Sequence, residues 1–418
     1  MKENRVAYFS KYFFNVILSF FYIFNVSFVF LPSILRTRVL IGFIGFIVFC
    51  NIFKKGIPKS FLKIILIILL PIIFIVLTSI INNNLDPRFI GNTFQNLIYI
   101  FGAFLLVKRL NFDILLISKV LVASIFLHNV LALIMFLNPN LLFLVVSIQS
   151  TGDKFEYALN NVVEFGSRFI GIGIGTFFSG GIIACIGILL SVYILTQINK
   201  SKLLWFLIYL FISITGIYIA RIAYLGIIIS VFFYFGTLII QKKYTIIPKV
   251  FSLLFIIGSI IFLYIINNID DLMKISSFNH SFEIFINLFN TGEISTKSTE
   301  GVKDMLIFPS DLKSILFGDG QFYYENGSFY MHTDVGYSRL VYYYGILGMI
   351  SFFLIHLYIL KFNIKYNKHN KVFRFLLVAL TLILFIGNLK GLLDINWLMF
   401  IFYWIALKKY YENLSYNK

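Results

Sequence analysis

Twelve apolar stretches divide this chain of 418 residues, near 12–31, 38–53, 62–82, 89–107, 120–137, 170–196, 203–219, 222–240, 247–266, 339–360, 373–389 and 391–407. A helix that crosses a bilayer takes about 20 mostly apolar residues, somewhat fewer or more when it tilts. So many runs of that length, in a chain that is 60% hydrophobic and only 13% charged, exclude a soluble globular protein of ordinary composition. The expected fold is all-α: a polytopic transmembrane helical bundle of about 12 spans, with residues 1–418 as one integral membrane domain.

The charges alternate between the gaps. With the N-terminus inside, the inner segments hold 23 of the 35 Lys and Arg but only 3 of the 18 Asp and Glu, which leaves 12 and 15 outside. The inner side is therefore net +20 and the outer side net −3, together the +17 of the whole chain. Lys and Arg in short cytoplasmic loops set orientation, so both termini are expected in the cytoplasm. The basic balance belongs to membrane orientation and not to nucleic-acid binding. The inner loops, such as Lys361, Lys365, Lys368, Lys371 and Arg374, read as headgroup-facing anchors.

The basic start, Met1 to Lys11, precedes an apolar run that is too long for a secretory signal and lacks a small-residue cleavage site, so it reads as a retained first span. Cys50 and Cys185 both lie in expected spans, which leaves no disulfide framework and no Cys-ligated metal in the outer loops.

Two expected external loops, about 138–169 and 267–338, are much longer than the others, and long loops in compact proteins are usually functional or disordered. Their aromatic content argues against disorder. Phe278, Phe282, Phe285, Leu288 and Phe289 have helical spacing and predict an amphipathic helix, packed on the bundle or lying along the leaflet. Asn290 to Gly301 is polar and reads as a mobile connection.

Arg221 is the sole Asp, Glu, Lys, Arg or His in the 38 residues from Leu203 to Ile240. As one helix that run would reach about 57 Å, roughly twice the hydrocarbon thickness, so it must fold back near Ile219 to Arg221. An arginine in an outer hairpin with almost no loop around it either snorkels or clamps an anion, since guanidinium pairs well with phosphate. Arg168, before Gly171-Ile-Gly173-Ile-Gly175 and Gly180-Gly181, has the same two readings: an interface residue or an anion ligand. The glycines themselves suit helix entry with close helix contact. At the end of the longer loop, Met331-His332-Thr333-Asp334 precedes Arg339, placing a proton acceptor, a carboxylate and a cation within eight residues. General-base chemistry uses such a His or Asp with a cation nearby; a helix-capping Asp334 is the structural alternative. Asp270-Asp271 lacks the spacing of a metal-binding carboxylate pair. His128, Lys390 and Asp394 read as structural, although ionisable groups within a membrane are functional candidates by default. There is no phosphate-binding glycine loop, zinc spacing or dinucleotide fingerprint, so no metal and no cofactor is expected.

Taken together, the chain resembles the O-antigen polymerase (Wzy) family and, more distantly, the O-antigen ligases. The resemblance rests on about a dozen spans with two enlarged outer loops, on Leu316-Phe-Gly-Asp-Gly320 followed by His332-Thr-Asp334-Val-Gly336-Tyr and Tyr344-Gly-Ile-Leu-Gly348, and on the lone Arg221 in Ala-Arg-Ile-Ala-Tyr-Leu-Gly. It departs from the family in two places. Gly180 falls one position late for the spacing from Arg168 seen in some polymerases, and Asp334 stands where the ligases have an uncharged polar residue.

The resemblance implies a metal-independent glycosyltransferase that polymerises undecaprenyl-diphosphate-linked oligosaccharide repeat units into O-antigen or capsule-type polysaccharide, at the outer face of the bacterial inner membrane. Arg168, Arg221 and Arg339 would bind the diphosphate, and His332 or Asp334 would take the acceptor proton. Expected partners are the lipid-linked oligosaccharide, membrane lipids and a chain-length regulator protein. Two alternatives share the architecture: an O-antigen ligase-like lipid-linked glycan transferase, and a polysaccharide flippase or transporter.

Overall fold

In lipid an apolar run has no polar partner for its backbone but the backbone itself, and helices are the outcome. The computed structural model describes residues 2–416 apart from 33, 55, 84–86, 151–167, 250, 251, 253–258, 260–262, 264–266, 294, 295 and 325–327. Most of the expected span 247–266 and more than half of the 138–169 loop thus lie outside the described residues. The other eleven expected spans all fall on or overlap helices: α1 (Lys2–Phe24), α2 (Thr37–Ile52), α3 (Lys59–Asn82), α4 (Pro87–Arg109), α5 (Ile114–Leu137), α7 (Phe177–Gln197), α8 (Lys202–Ile219), α9 (Ala223–Ile240), α14 (Gly336–Tyr366), α15 (Lys371–Gly387) and α16 (Asn396–Tyr416). Shorter helices fill the connections: α6 (Pro139–Ile148), α10 (Ile269–Met273), α11 (Ser276–Thr291), α12 (Lys297–Met305) and α13 (Leu312–Phe317). No strand occurs among the described residues. Among the described residues six helices, α3, α5, α7, α8, α9 and α14, are long and apolar enough to cross a membrane. The chain is a multi-pass, all-helical membrane protein.

Two central helices carry the core. α7 is buried from Gly180 to Ile194 and α16 from Asn396 to Leu407. Trp404 of α16 packs among Phe49, Phe61 and Phe104 and donates its Nε1–H to Ile100 O at 2.7 Å. Peripheral helices turn apolar side chains outward, as Leu203, Leu207 and Leu210 of α8 do. Because lipid is as apolar as these side chains, close backbone packing joins the helices more than hydrophobicity does. Gly45 of α2 shows this directly, since a Cβ there would collide with the Phe101 carbonyl of α4.

Several ends differ from the sequence reading. α1 stops at Phe24, where Asn25 turns left-handed (φ 44°), and not near residue 31. α7 begins at Phe177, not at residue 170, because the glycine segment before it wraps His128. The Ile172 N–H donates to His128 Nε2 at 3.0 Å, and a Cβ on Gly171 or Gly175 would strike the ring. Those glycines therefore serve a loop around a core histidine, and the helix entry lies beyond them. The aromatic spacing expected for an amphipathic helix is met by α11. The polar stretch after it, expected to be irregular, is helical from Lys297, where Thr296 and Thr299 form a reciprocal cap.

One joint organises the region after α13. α14 bends at Tyr344 and Gly345, the latter at φ 71°, and the bend leaves the Tyr342 and Tyr343 carbonyls outside the helical ladder. The N–H groups of Asp319 and Gly320 donate to them at 2.6 and 3.0 Å. Gly318, also left-handed, lies against the Gly345 backbone, and a Cβ on either would strike the other's strand of chain. α3 completes the joint, with Thr78 Oγ1 donating to Phe317 O at 2.6 Å and Asn82 Nδ2 to Gly318 O at 2.9 Å. Leu316–Gly320 and Tyr344–Gly348 are thus two halves of one structural contact.

Candidate anion-binding site

The fold-back expected near Ile219 to Arg221 is the α8–α9 turn, with Ala220 extended and Arg221 and Ile222 in the turn itself. Gly180 and Gly181 of α7 make room for it, since Cβ atoms there would meet Ile219, Ala220 and Ile222. Arg168 is brought to the same place by the next residue. The Phe169 N–H donates to Tyr218 O at 3.1 Å, and the Phe169 ring stacks on Tyr218 with centroids 5.0 Å apart. Two of the three arginines expected to bind the diphosphate, Arg168 and Arg221, 53 positions apart, are therefore brought within reach of each other's charge, and Arg339 is not among them.

Arg221 differs from expectation in one respect: it is not bare. α11 lies over the turn, with Phe282 against Tyr218 and Tyr224, Phe285 against Tyr224, and the Tyr224 hydroxyl donating to Ser281 O at 3.1 Å. This docking sets Glu283 on Arg221 as an ion pair, their side chains 9% and 18% exposed. His280, one turn earlier on the same face of α11, joins the group. Lys390 arrives from the α15–α16 turn. Asn388 ties that turn shut through Leu393 O (3.2 Å) and Leu393 N (3.1 Å), and Gly391 packs on the Phe178 ring of α7.

These groups lie within reach of one another's charge. Burial, then Arg221 and Arg168, push the Lys390 ammonium down to about 8, against a smaller opposing pull from Glu283. Burial and the same cations hold His280 down to about 4, so its imidazole is neutral at pH 7. Arg168 is lowered by burial and by Arg221; guanidinium nevertheless stays charged in proteins. Among the described residues, Arg168, Arg221 and Lys390 lie within reach of one another's charge and Glu283 is the carboxylate paired with Arg221, in a part-buried setting where charge interactions are screened less than in water.

The remaining expected site residues form a second group. Arg339 is stacked between Phe322 and Phe329, its guanidinium carbon 4.3 and 3.7 Å from the ring centroids, with its Nε buried and unpartnered. His332 and Asp334 are exposed, and the His332 ring lies 5.3 Å from Tyr324. Asp334 does not cap α14, whose cap position is Val335. Asp319 takes hydrogen bonds from Ser314 and, at 3.2 Å, from Tyr330, whose hydroxyl burial and this carboxylate push up to about 12. The two groups adjoin through the Lys390 turn: the Tyr337 N–H donates to Asn388 O at 3.3 Å, and Gly336 lies against Gly391.

No protein-family model, curated protein or solved structure matches this chain. Its chemistry is read from these residues alone. Among the described residues, no three His, Cys, Asp or Glu side chains are grouped to hold a metal ion. Asp271, of the Asp270-Asp271 pair, is exposed and paired with Lys274 at 2.7 Å. His128 is a buried structural group, bonded to Asn129 and stacked on Phe24. Sequence reasoning missed Glu283 and His280 and read Lys390 as structural. The signal for the first two was the polar face of α11, which becomes informative only once the turn beneath it is known.

Proposed function

We propose that the chain polymerises undecaprenyl-diphosphate-linked oligosaccharide repeat units into O-antigen or capsule-type polysaccharide at the outer face of the bacterial inner membrane. The observation that carries this reading is the Arg221–Glu283 ion pair with Lys390 and Arg168 within reach of the Arg221 charge. With both termini cytoplasmic and about twelve spans, as the charge pattern implies, this cluster faces outward.

The reaction is substitution at the anomeric carbon of the lipid-linked donor. An acceptor hydroxyl forms the new C–O bond, its proton passes to a base, and the bond to diphosphate breaks with its electron pair. Negative charge gathers on the leaving diphosphate in the transition state. Cations already fixed in place stabilise it without a metal ion and without reorganisation. Glu283 holds the Arg221 guanidinium ready before the donor arrives. In this reading His332 or Asp334 serves as the base, beside Arg339, and the apolar helices shelter the prenyl chain. Membrane lipids and a chain-length regulator protein are the expected partners.

Deletion of the gene tests the assignment. The expected result is single repeat units on the carrier or final acceptor, and no long chains. A normal ladder of chain lengths overturns it. Lipid-linked units trapped on the cytoplasmic side would identify a flippase instead, and full-length polymer left on its carrier would identify a ligase.

A further inference from the structure

A cavity of about 290 Å³ lies on the other side of the Lys390 turn, between the end of α1 at Asn25, α2, α3, α4, α14 and the start of α16. Its polar wall includes Arg36, Gln95, Asn96, Asp394 and Asn396. Asn396 is 1% exposed, yet both its amide oxygen and its amide nitrogen lack a hydrogen-bond partner. Buried amides are rarely left so, and one with a donor and an acceptor both free is matched to a ligand that offers both. Asp394 stands beside it, accepting from the Asn396 N–H at 2.7 Å and lying 3.7 Å from the otherwise unpartnered Nε2 of buried His356.

The character of the wall selects the ligand class. Arg38 is already spent on the protein: it donates to the Tyr22 and Ile23 carbonyls at 2.6 and 2.5 Å and lies over the Tyr22, Tyr99 and Trp397 rings. Asp394 offsets one of the two guanidinium charges in the lining, and the Arg38 donors bonded to the Tyr22 and Ile23 carbonyls are committed to the protein. Neutral amides and one carboxylate alongside the Trp397 ring suit a polyol with a C–H face, and the volume lies just below the range of drug-sized ligand cavities, about 300 to 1,000 Å³.

We propose that this cavity binds a sugar ring of the glycan, with Asn396 and Asp394 bonding its hydroxyls and Trp397 lining its apolar face. The identity of the glycan rests on the polymerase reading. The position follows from chain geometry: residues 390 to 396 carry Lys390 into the cation cluster and Asn396 into the cavity, placing a sugar site next to a diphosphate site.

Full-length protein in lipid nanodiscs, titrated with oligosaccharide released by hydrolysis from the cell's own surface polysaccharide, tests this through indole emission. Trp397→Phe marks the share of the signal that arises in the cavity. The expected result is a saturable change whose midpoint rises at least tenfold in Asn396→Ala and in Asp394→Ala, and which inorganic diphosphate does not displace. Gln95→Ala, at another lining position, supplies an independent variant with the same expected rise should either of those fail to give a monodisperse protein. Binding of the free oligosaccharide assigns the ring to the acceptor, and a response to the lipid-linked unit alone assigns it to the donor. Absence of a response to both, equal midpoints in wild type and variants, or displacement by inorganic diphosphate overturns the proposal. Because binding needs no turnover, a flat titration in a protein that still restores long chains to a deletion strain sinks the sugar site alone, whereas a normal ladder after deletion sinks the polymerase reading alone.

Discussion

Arg221 and Glu283 form a part-buried ion pair across 62 positions of sequence, tying the α8–α9 turn to the amphipathic helix α11. The pair is both an anchor and a poised cation. Removing one partner of a buried pair leaves a desolvated charge, a loss of about 3–5 kcal/mol at full burial and less at this partial exposure. Glu283→Ala and Arg221→Ala should each loosen α11, and the double variant should be less destabilised than the sum of the two. Protease susceptibility between Ser276 and Thr291, measured across the cycle, checks this; strict additivity would show that the pair contributes nothing.

Activity should separate the two partners. Arg221→Ala removes a charge-assisted contact to the leaving diphosphate, a few kcal/mol in the transition state at about 1.4 kcal/mol per tenfold in rate. Long polymer is expected to vanish while the protein still inserts. Arg221→Lys keeps the charge without the planar fork and should retain only part of the activity. Wild-type chain lengths from a normally expressed Arg221→Ala protein would dismiss the diphosphate role.

Lys390 makes the cation site sensitive to alkali. Its ammonium, held down to about 8, is charged below that pH and neutral above it. Affinity for inorganic diphosphate should therefore fall as pH rises through about 8, and Lys390→Arg should remove that fall. The stability effect has the opposite sign. Between about 8 and the ordinary lysine value of 10.5 the unfolded chain holds more protons, so this residue makes stability rise with pH there. Isothermal titration across pH 6.5–9.5 reads the first effect, and a pH-independent affinity rules out Lys390 as a ligand.

The Gly318–Gly345 joint predicts a contrast between glycines. Gly345→Ala puts a Cβ against the Leu316 carbonyl at a left-handed φ of 71°, and should cost more than the 1–3 kcal/mol typical of strained backbone positions. Gly91→Ala on α4 meets nothing within 4 Å and gains helix propensity, so it should be neutral or stabilising by up to about 1 kcal/mol. Thermal unfolding of the purified variants decides it, and equal midpoints would mean that the joint is not strained by side chains.

Orientation can be read with single cysteines in a background lacking Cys50 and Cys185. Leu312→Cys, at the 70% exposed first position of α13, should react with an impermeant thiol reagent from outside, and Lys368→Cys should react only once the inner face is opened. The reverse pattern would invert the topology and end the proposed mechanism. Gly327, in the same expected external loop, lies outside the described residues.

The helices were legible in the sequence because each apolar run is a local property, and lipid leaves such a run one regular solution. The turn at Arg221 was legible for the same reason, from length alone, and α11 from the period of its phenylalanines. Charge patterning also marked Arg168 and Arg221 as unusual. What they meet was decided by tertiary structure. Glu283 on Arg221, Lys390 beside both, Gly318 against Gly345, the glycine loop around His128, and the unpartnered Asn396 in its cavity all join segments that local pattern cannot relate. Single charges and glycines carry no periodicity. Their partners are set by helix packing, where close backbone approach and not hydrophobic spacing chooses the neighbour.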